Sequence, residues 1–201
     1  MKGRIISGIT PQQKMVAVNN RFGNTNISSQ QGTTRVLFDS INIVSGQTEY
    51  RFFENAGTKN YPFTNIGSEG NRLNVGETFT IQKIYFGLAN TDPDTGAITN
   101  FDPIIANIPG LAKGEFSFQI ANSQVIKQLP MAMFGFSNCN PTSVNANDVA
   151  FDCFTDIVIP PLLEYIATVR LTNTVLIQAN SARLVCFIEG TAGILAPQTT
   201  F

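Results

Sequence analysis

At 201 residues the chain is long enough for one sizeable core, and its 43% hydrophobic content is ordinary, but only 13% of residues are charged against a usual globular share of about 25%. His is absent, which excludes a Ser-His-Asp triad, a Cys-His dyad and an ordinary catalytic zinc site, since each needs an imidazole. Asn, Gln, Ser and Thr take the place of charge on the surface, and the formal net charge of −1 sets only a low electrostatic barrier to self-association.

The segment Met1 to Ile6 lacks the apolar stretch of a secretory leader. Nowhere do about 18 apolar residues run together, so the sequence predicts a chain that is neither exported by the usual route nor membrane-spanning. Five basic residues, Lys2, Arg4, Lys14, Arg21 and Arg35, precede the first acid, Asp39, and this leaves eight basic against fourteen acidic residues for the rest. The same segment is rich in Gln, Asn, Ser and Gly, and Gly3, Gly8, Pro11, Gly23 and Gly32 interrupt any helical period. Residues 1–34 are therefore expected to form a basic N-terminal arm and residues 35–201 a single β-sandwich domain.

From Arg35 onward the apolar period is close to two. Val36 and Phe38, followed by Ile41 and Ile43, mark a first strand with a phase slip near Ser40 that predicts a bulge. Phe79 and Ile81 mark a second, whose phase shifts to Ile84 and Phe86 across another bulge near Lys83. Ala89 to Pro109, with Asp92-Pro93-Asp94-Thr95-Gly96, reads as a long surface loop; the Asp-x-Asp-x-Gly spacing fits a β-turn better than a calcium loop, because the later Glu of such a loop is missing. Glu115 to Ile120 alternates cleanly, with Phe116, Phe118 and Ile120 on one face, and Asn122 to Leu129 is expected as a helical turn before Pro130.

Pro160-Pro161 cannot lie inside a central strand and separates Asp156–Ile159 from Tyr165–Leu171. Val175 to Ala179 and Leu184 to Ile188, the latter running into Gly190, complete a rhythm of turns every 8 to 12 residues or so, as in a sandwich or barrel. Cys139, Cys153 and Cys186 are odd in number and lack CxxC spacing, which argues against a disulfide framework and structural zinc; Cys186 reads as a buried thiol. No Gly-rich phosphate loop occurs. Among the sixteen Phe residues, Phe52, Phe53, Phe134 and Phe136 are candidate interface aromatics, with core packing as the alternative, and the lack of Trp weakens a sugar-stacking face.

The alternating carboxyl-terminal strands, the acid-free basic arm, the low charge and the segments Thr33-Thr34-Arg35-Val36-Leu37-Phe38, Phe52-Phe53, Thr64-Asn65 and Phe79-Thr80-Ile81 resemble the coat proteins of small icosahedral viruses and bacteriophages. The resemblance implies an all-β, antiparallel jelly-roll β-sandwich with an extended arm. It implies that the basic residues Lys2, Arg4, Lys14, Arg21 and Arg35 face the particle interior. The implied role is a self-assembling shell subunit of the virion, assembled in the host cytoplasm. Its partners would be copies of itself, other virion proteins and, through a modestly charged arm, genome or anionic lipid. No catalytic residue, metal, cofactor or small-molecule substrate is expected. The competing readings are a host-recognition fibre, spike or carbohydrate-binding β-sandwich module and, more remotely, an enzyme working with carboxylates alone.

Overall fold

The computed structural model of the chain describes residues 30–44, 46–67, 70–91, 98–102, 111–134, 150–172 and 182–195. The described chain is all-β, with nine strands and three single turns of 3-10 helix. The strands are β1 (Gln30–Asn42), β2 (Glu49–Phe52), β3 (Thr78–Thr91), β4 (Ile98–Asp102), β5 (Glu115–Ile120), β6 (Ser123–Pro130), β7 (Phe151–Ile159), β8 (Tyr165–Arg170) and β9 (Ala182–Leu195).

Every named strand pair is antiparallel, and the strands form two sheets packed as a β-sandwich. The first sheet runs β1-β9-β3, and a fourth position beside β3 is shared: β7 pairs with Phe79 to Ile84 and β4 with Leu88 to Thr91. The second sheet runs β2-β8-β5-β6.

The core is aromatic and belongs to both sheets. Phe86 of β3 packs edge-on against Phe52 of β2 at 5.9 Å, Phe116 of β5 at 5.7 Å and Phe134 at 5.0 Å between ring centroids. Edge-to-face rings place positive edges on negative faces and add to the burial of their large area. The alternation seen in the sequence is what delivers these rings: β5 buries Phe116, Phe118 and Ile120, and β8 buries Tyr165, Ala167 and Val169.

The bulge expected near Lys83 is present. The register of β3 against both β9 and β7 slips between Ile81 and Lys83, leaving Gln82 as the extra residue against β9. The bulge expected near Ser40 is not, because β1 runs in unbroken register with β9 from Gln30 to Asn42. Val36 and Phe38 lie on the outer face, while Leu37, Asp39, Ile41 and Ile43 share the inner one; the apparent slip is a carboxylate seated on a core face. Strand β1 also begins at Gln30, so residues 30–34, read as arm, pair with residues 191–195.

Three further expectations change. Asn122 to Leu129 forms no helical turn: Ser123–Pro130 is strand β6, an edge strand mostly exposed along its length, so no apolar period marks it in the sequence. Strands β3 and β4 enter the stretch read as one loop from Ala89 to Pro109, of which residues 92–97 and 103–110, including Asp92 to Gly96, lie outside the described residues. Strand β9 passes straight through Gly190 instead of ending there. The break at Pro160-Pro161 stands, Val175 to Ala179 and Cys139 lie outside the described residues, and Cys186 is buried as expected.

Gly190 has a steric reason to be glycine. A Cβ there would meet the backbone carbonyl oxygen of Thr80 at 1.9 Å, because β3 rides over this position beside its own bulge. Gly190→Ala should therefore lower stability by about 1–3 kcal/mol or more in denaturant unfolding. Gly67→Ala, where nothing lies within 4 Å and φ is not positive, should leave the midpoint nearly unchanged.

Candidate functional site

The densest set of buried polar contacts sits where β1 meets the chain that follows β2. Asp39 points into the core and is wholly unexposed. Ions in such a place persist only when donors surround them, and here they do. The Lys59 ammonium donates to both carboxylate oxygens at 2.8 and 3.0 Å, and the Phe53 backbone N–H donates to Oδ2 at 2.8 Å. Phe53 has φ of 71°, a left-handed conformation that costs a bulky residue about 1–2 kcal/mol. The buried carboxylate holds the peptide in that turn, and the Phe53 ring packs at a tilt against Tyr165, 5.3 Å between centroids.

The network spreads outward through Ser40, the next residue. Lys59 also donates to the Ser40 carbonyl at 3.0 Å, while the Ser40 hydroxyl donates to the Phe63 carbonyl at 2.7 Å. Arg183 on β9 donates to the Ser40 hydroxyl at 3.0 Å, to the Ser40 carbonyl at 3.2 Å and to Asn42 Oδ1 at 2.5 Å, and its guanidinium lies 4.5 Å from the centroid of the Phe63 ring. Burial pulls the Arg183 pKa down from its usual value, and the charge of Asp39 opposes that shift. Above these residues opens a cleft of about 430 Å³ lined by Glu49, Arg51, Glu54, Lys59 and Arg183 among others. Charges on its wall are already paired, Arg51 with Glu54 at 2.8 Å and Glu49 with Arg170, outside the lining, at 3.0 Å.

The connection after β2 then lies along the outer edge of β1. Asn65 behaves as a short piece of strand: its Oδ1 accepts from the Phe38 N–H at 2.8 Å, its Nδ2 donates to the Val36 carbonyl at 2.5 Å, and its own N–H donates to the Phe38 carbonyl at 3.3 Å. Thr64 adds a hydroxyl bond to the same carbonyl at 2.8 Å. The edge of β1 is thereby closed at Val36 and Phe38.

Other margins carry their own obstacles. Opposite Gln82, β7 slips register against β3 between Asp152 and Ile157; β6 has two register shifts, Gln128 at φ of 47° and Pro130; β2 is four residues long with Glu49 and Arg51 on it. These are the devices by which natural sheets avoid edge pairing.

The residues singled out from the sequence fall in different places. Lys2, Arg4, Lys14, Arg21 and Phe136 lie outside the described residues. Arg35 is not on an arm but on β1, half-buried and paired with Glu77 at 3.4 Å. Phe52, Phe53 and Phe134 are fully buried in the chain's own core, which makes them core rings and not interface rings. The Asp39–Lys59–Arg183 network was not foreseen, although a lone acid within the apolar run from Val36 to Ile43 is the signal that marks it. Among the described residues no group of three or more Cys, Asp or Glu is placed to hold a metal, and no helix is long and apolar enough to cross a membrane. No family model matches the chain, and neither a curated protein nor a solved structure matches it.

Lys59→Met leaves Asp39 buried without its counter-charge and should lower stability by about 3–5 kcal/mol, whereas the exposed pair Arg51 and Glu54 should show a coupling of about 0–1 kcal/mol in a double-mutant cycle. Burial also pushes the Cys153 thiol up to about 11 and raises the Cys186 thiol. The unfolded chain loses these protons first as pH rises, so this stability is complete below about pH 9 and is lost as pH climbs toward 11. Cys153→Ala should flatten that decline in urea melts taken at stepped pH; an unchanged slope would count against it.

Proposed function

We propose that the chain is a self-assembling shell subunit of an icosahedral virus or phage, built on a jelly roll. The observation that carries the reading is the pairing order. With β4 set aside as an excursion between β3 and β5, the eight remaining strands pair first with last, second with seventh, third with sixth and fourth with fifth: β1 with β9, β2 with β8, β3 with β7 and β5 with β6. Such nesting is that of one long antiparallel ribbon. Rolling the ribbon up brings its last strand against its third and its seventh against its fourth, and β9 pairs β3 while β8 pairs β5. Eight strands in two such sheets are the jelly-roll arrangement used by viral shells, although lectin domains and cupins use it too.

Two features of the chain favour the shell among those uses. Charge is sparse and nearly balanced, so copies repel each other weakly. The first 38 residues carry five basic groups and no acid, a charge suited to an anionic interior, genome or lipid. Virion partners and assembly in the host cytoplasm belong to the same reading.

Negative-stain electron microscopy and analytical ultracentrifugation of the purified full-length chain test it. Shells, sheets or rings are expected; discrete monomers or trimers at every concentration, together with glycan binding, would move the reading to a host-recognition module. Removing residues 1–29, which stops short of β1, should leave the strand signal in circular dichroism intact and impair assembly. Replacing Lys2, Arg4, Lys14 and Arg21 by Gln should reproduce that loss in a salt-dependent way if charge is what matters, since exposed charges are screened beyond about 10 Å at 0.1 M salt.

A further inference from the structure

We infer that the outer edge of β1 from Gln30 to Arg35 pairs with itself: a second copy of this chain adds the same segment antiparallel to it, about a two-fold axis at Thr33. The inference rests on edge geometry and stands whether or not the chain builds a shell. In a strand the N–H and C=O of one residue point to the same side, and those of the next residue to the other. Phe38 gives its N–H and C=O to Asn65, and Val36 its C=O, so the even-numbered residues of β1 face away from β9. By the same alternation Gly32 and Thr34 present N–H and C=O outward, and no described strand pairs with them there. Gln31, Gly32 and Thr34 are exposed.

This stretch lacks the protection found on β2, β6 and β7. It carries no charge from Gln30 to Thr34, no proline and no bulge, and its register with β9 is continuous. Arg35, the first charge, is drawn toward Glu77 at 3.4 Å. A flat, neutral, regular edge is a ready template for another strand.

The occupant's identity follows from self-complementarity. An isologous two-fold contact uses the same patch on both copies. With the axis at Thr33, Gly32 of each copy forms a hydrogen-bonded pair with Thr34 of the other, and Arg35 faces Gln31, so no like charges are opposed. Gly32 leaves room on the outer face. The Asn65 cap on each copy blocks extension beyond Val36, which limits the ladder to the open stretch and centres it. A short ladder of this kind makes a small contact, weak alone and effective when repeated.

Thr33 then faces its own symmetry mate as a non-hydrogen-bonded pair, with Cα atoms about 4.5 Å apart, within the roughly 4.4–6.8 Å that a disulfide spans. The two copies of Gln31 stand about 13 Å apart along the strands. Full-length Thr33→Cys under mild copper-phenanthroline oxidation should give a covalent dimer linked at position 33 by peptide mapping, while Gln31→Cys should not link beyond the background of the wild-type chain. Thr34→Pro removes one outward N–H from each copy and spares the ladder to β9, as proline on a sheet edge can. It should weaken association by about ten- to a hundredfold in sedimentation equilibrium, with a wild-type strand signal in circular dichroism. Linking of Gln31→Cys as readily as Thr33→Cys, no linking of Thr33→Cys, or undiminished association of a folded Thr34→Pro chain would each overturn the inference. Should Thr34→Pro fail to fold, the pair of cysteine variants decides alone.

Discussion

A carboxylate with no exposure to water is the constraint on which much of this molecule turns. Asp39 sits in the last third of β1 on the face that meets the core, and a charge there survives only with its donors in place. Those donors are distant in sequence and come from a different part of the fold: the Phe53 N–H from the turn that ends β2, and Lys59 from the connection that follows. Satisfying Asp39 therefore fixes how the chain leaves the second sheet and returns over the edge of the first. The left-handed turn at Phe53, the Lys59 ammonium and the packing of Phe53 against Tyr165 form one arrangement whose parts hold each other in place.

From that anchor the same connection reaches the outer edge of β1, where Thr64 and Asn65 occupy the hydrogen-bonding groups that a neighbouring strand would take. Arg183 ties β9 to the same place through Ser40 and Phe63. The polar network thus braces β1 against β9 on one side and seals part of the edge on the other. It also sets where that seal ends, at Val36.

The edges connect the fold to the function proposed. In a shell, contacts between copies must be individually weak and geometrically defined. Bulges in β7, a left-handed residue and proline in β6, and the shortness of β2 remove three margins from uncontrolled pairing. An aromatic ladder of Phe38, Phe187 and Tyr85 runs across the outer face of the first sheet, with centroids 5.8 and 4.9 Å apart, and ties β1, β9 and β3 together through side chains. Phe154 stands 77% exposed on the bulged stretch of β7, with its ring edge-on to that of Phe151 at 6.3 Å between centroids.

The sequence by itself determined what depends on local alternation and on residue chemistry. The strand class, the inward rings of β5 and β8, the bulge in β3, the break at Pro160-Pro161 and the buried Cys186 are all legible because half-buried strands repeat every two residues and proline cannot join a ladder. Tertiary structure alone decided what depends on backbone bonds with distant partners. Residues 30–34 and 123–130 have no apolar period, and they are strands because β9 and β5 offer them hydrogen bonds. Gly190 reads as a strand end until β3 is seen to pass over it. Asp39 reads as a phase slip, since a carboxylate on a core face looks like an error in alternation until Lys59 and Phe53 are brought against it; only the folded chain places the lysine, 20 residues on, within 2.8 Å.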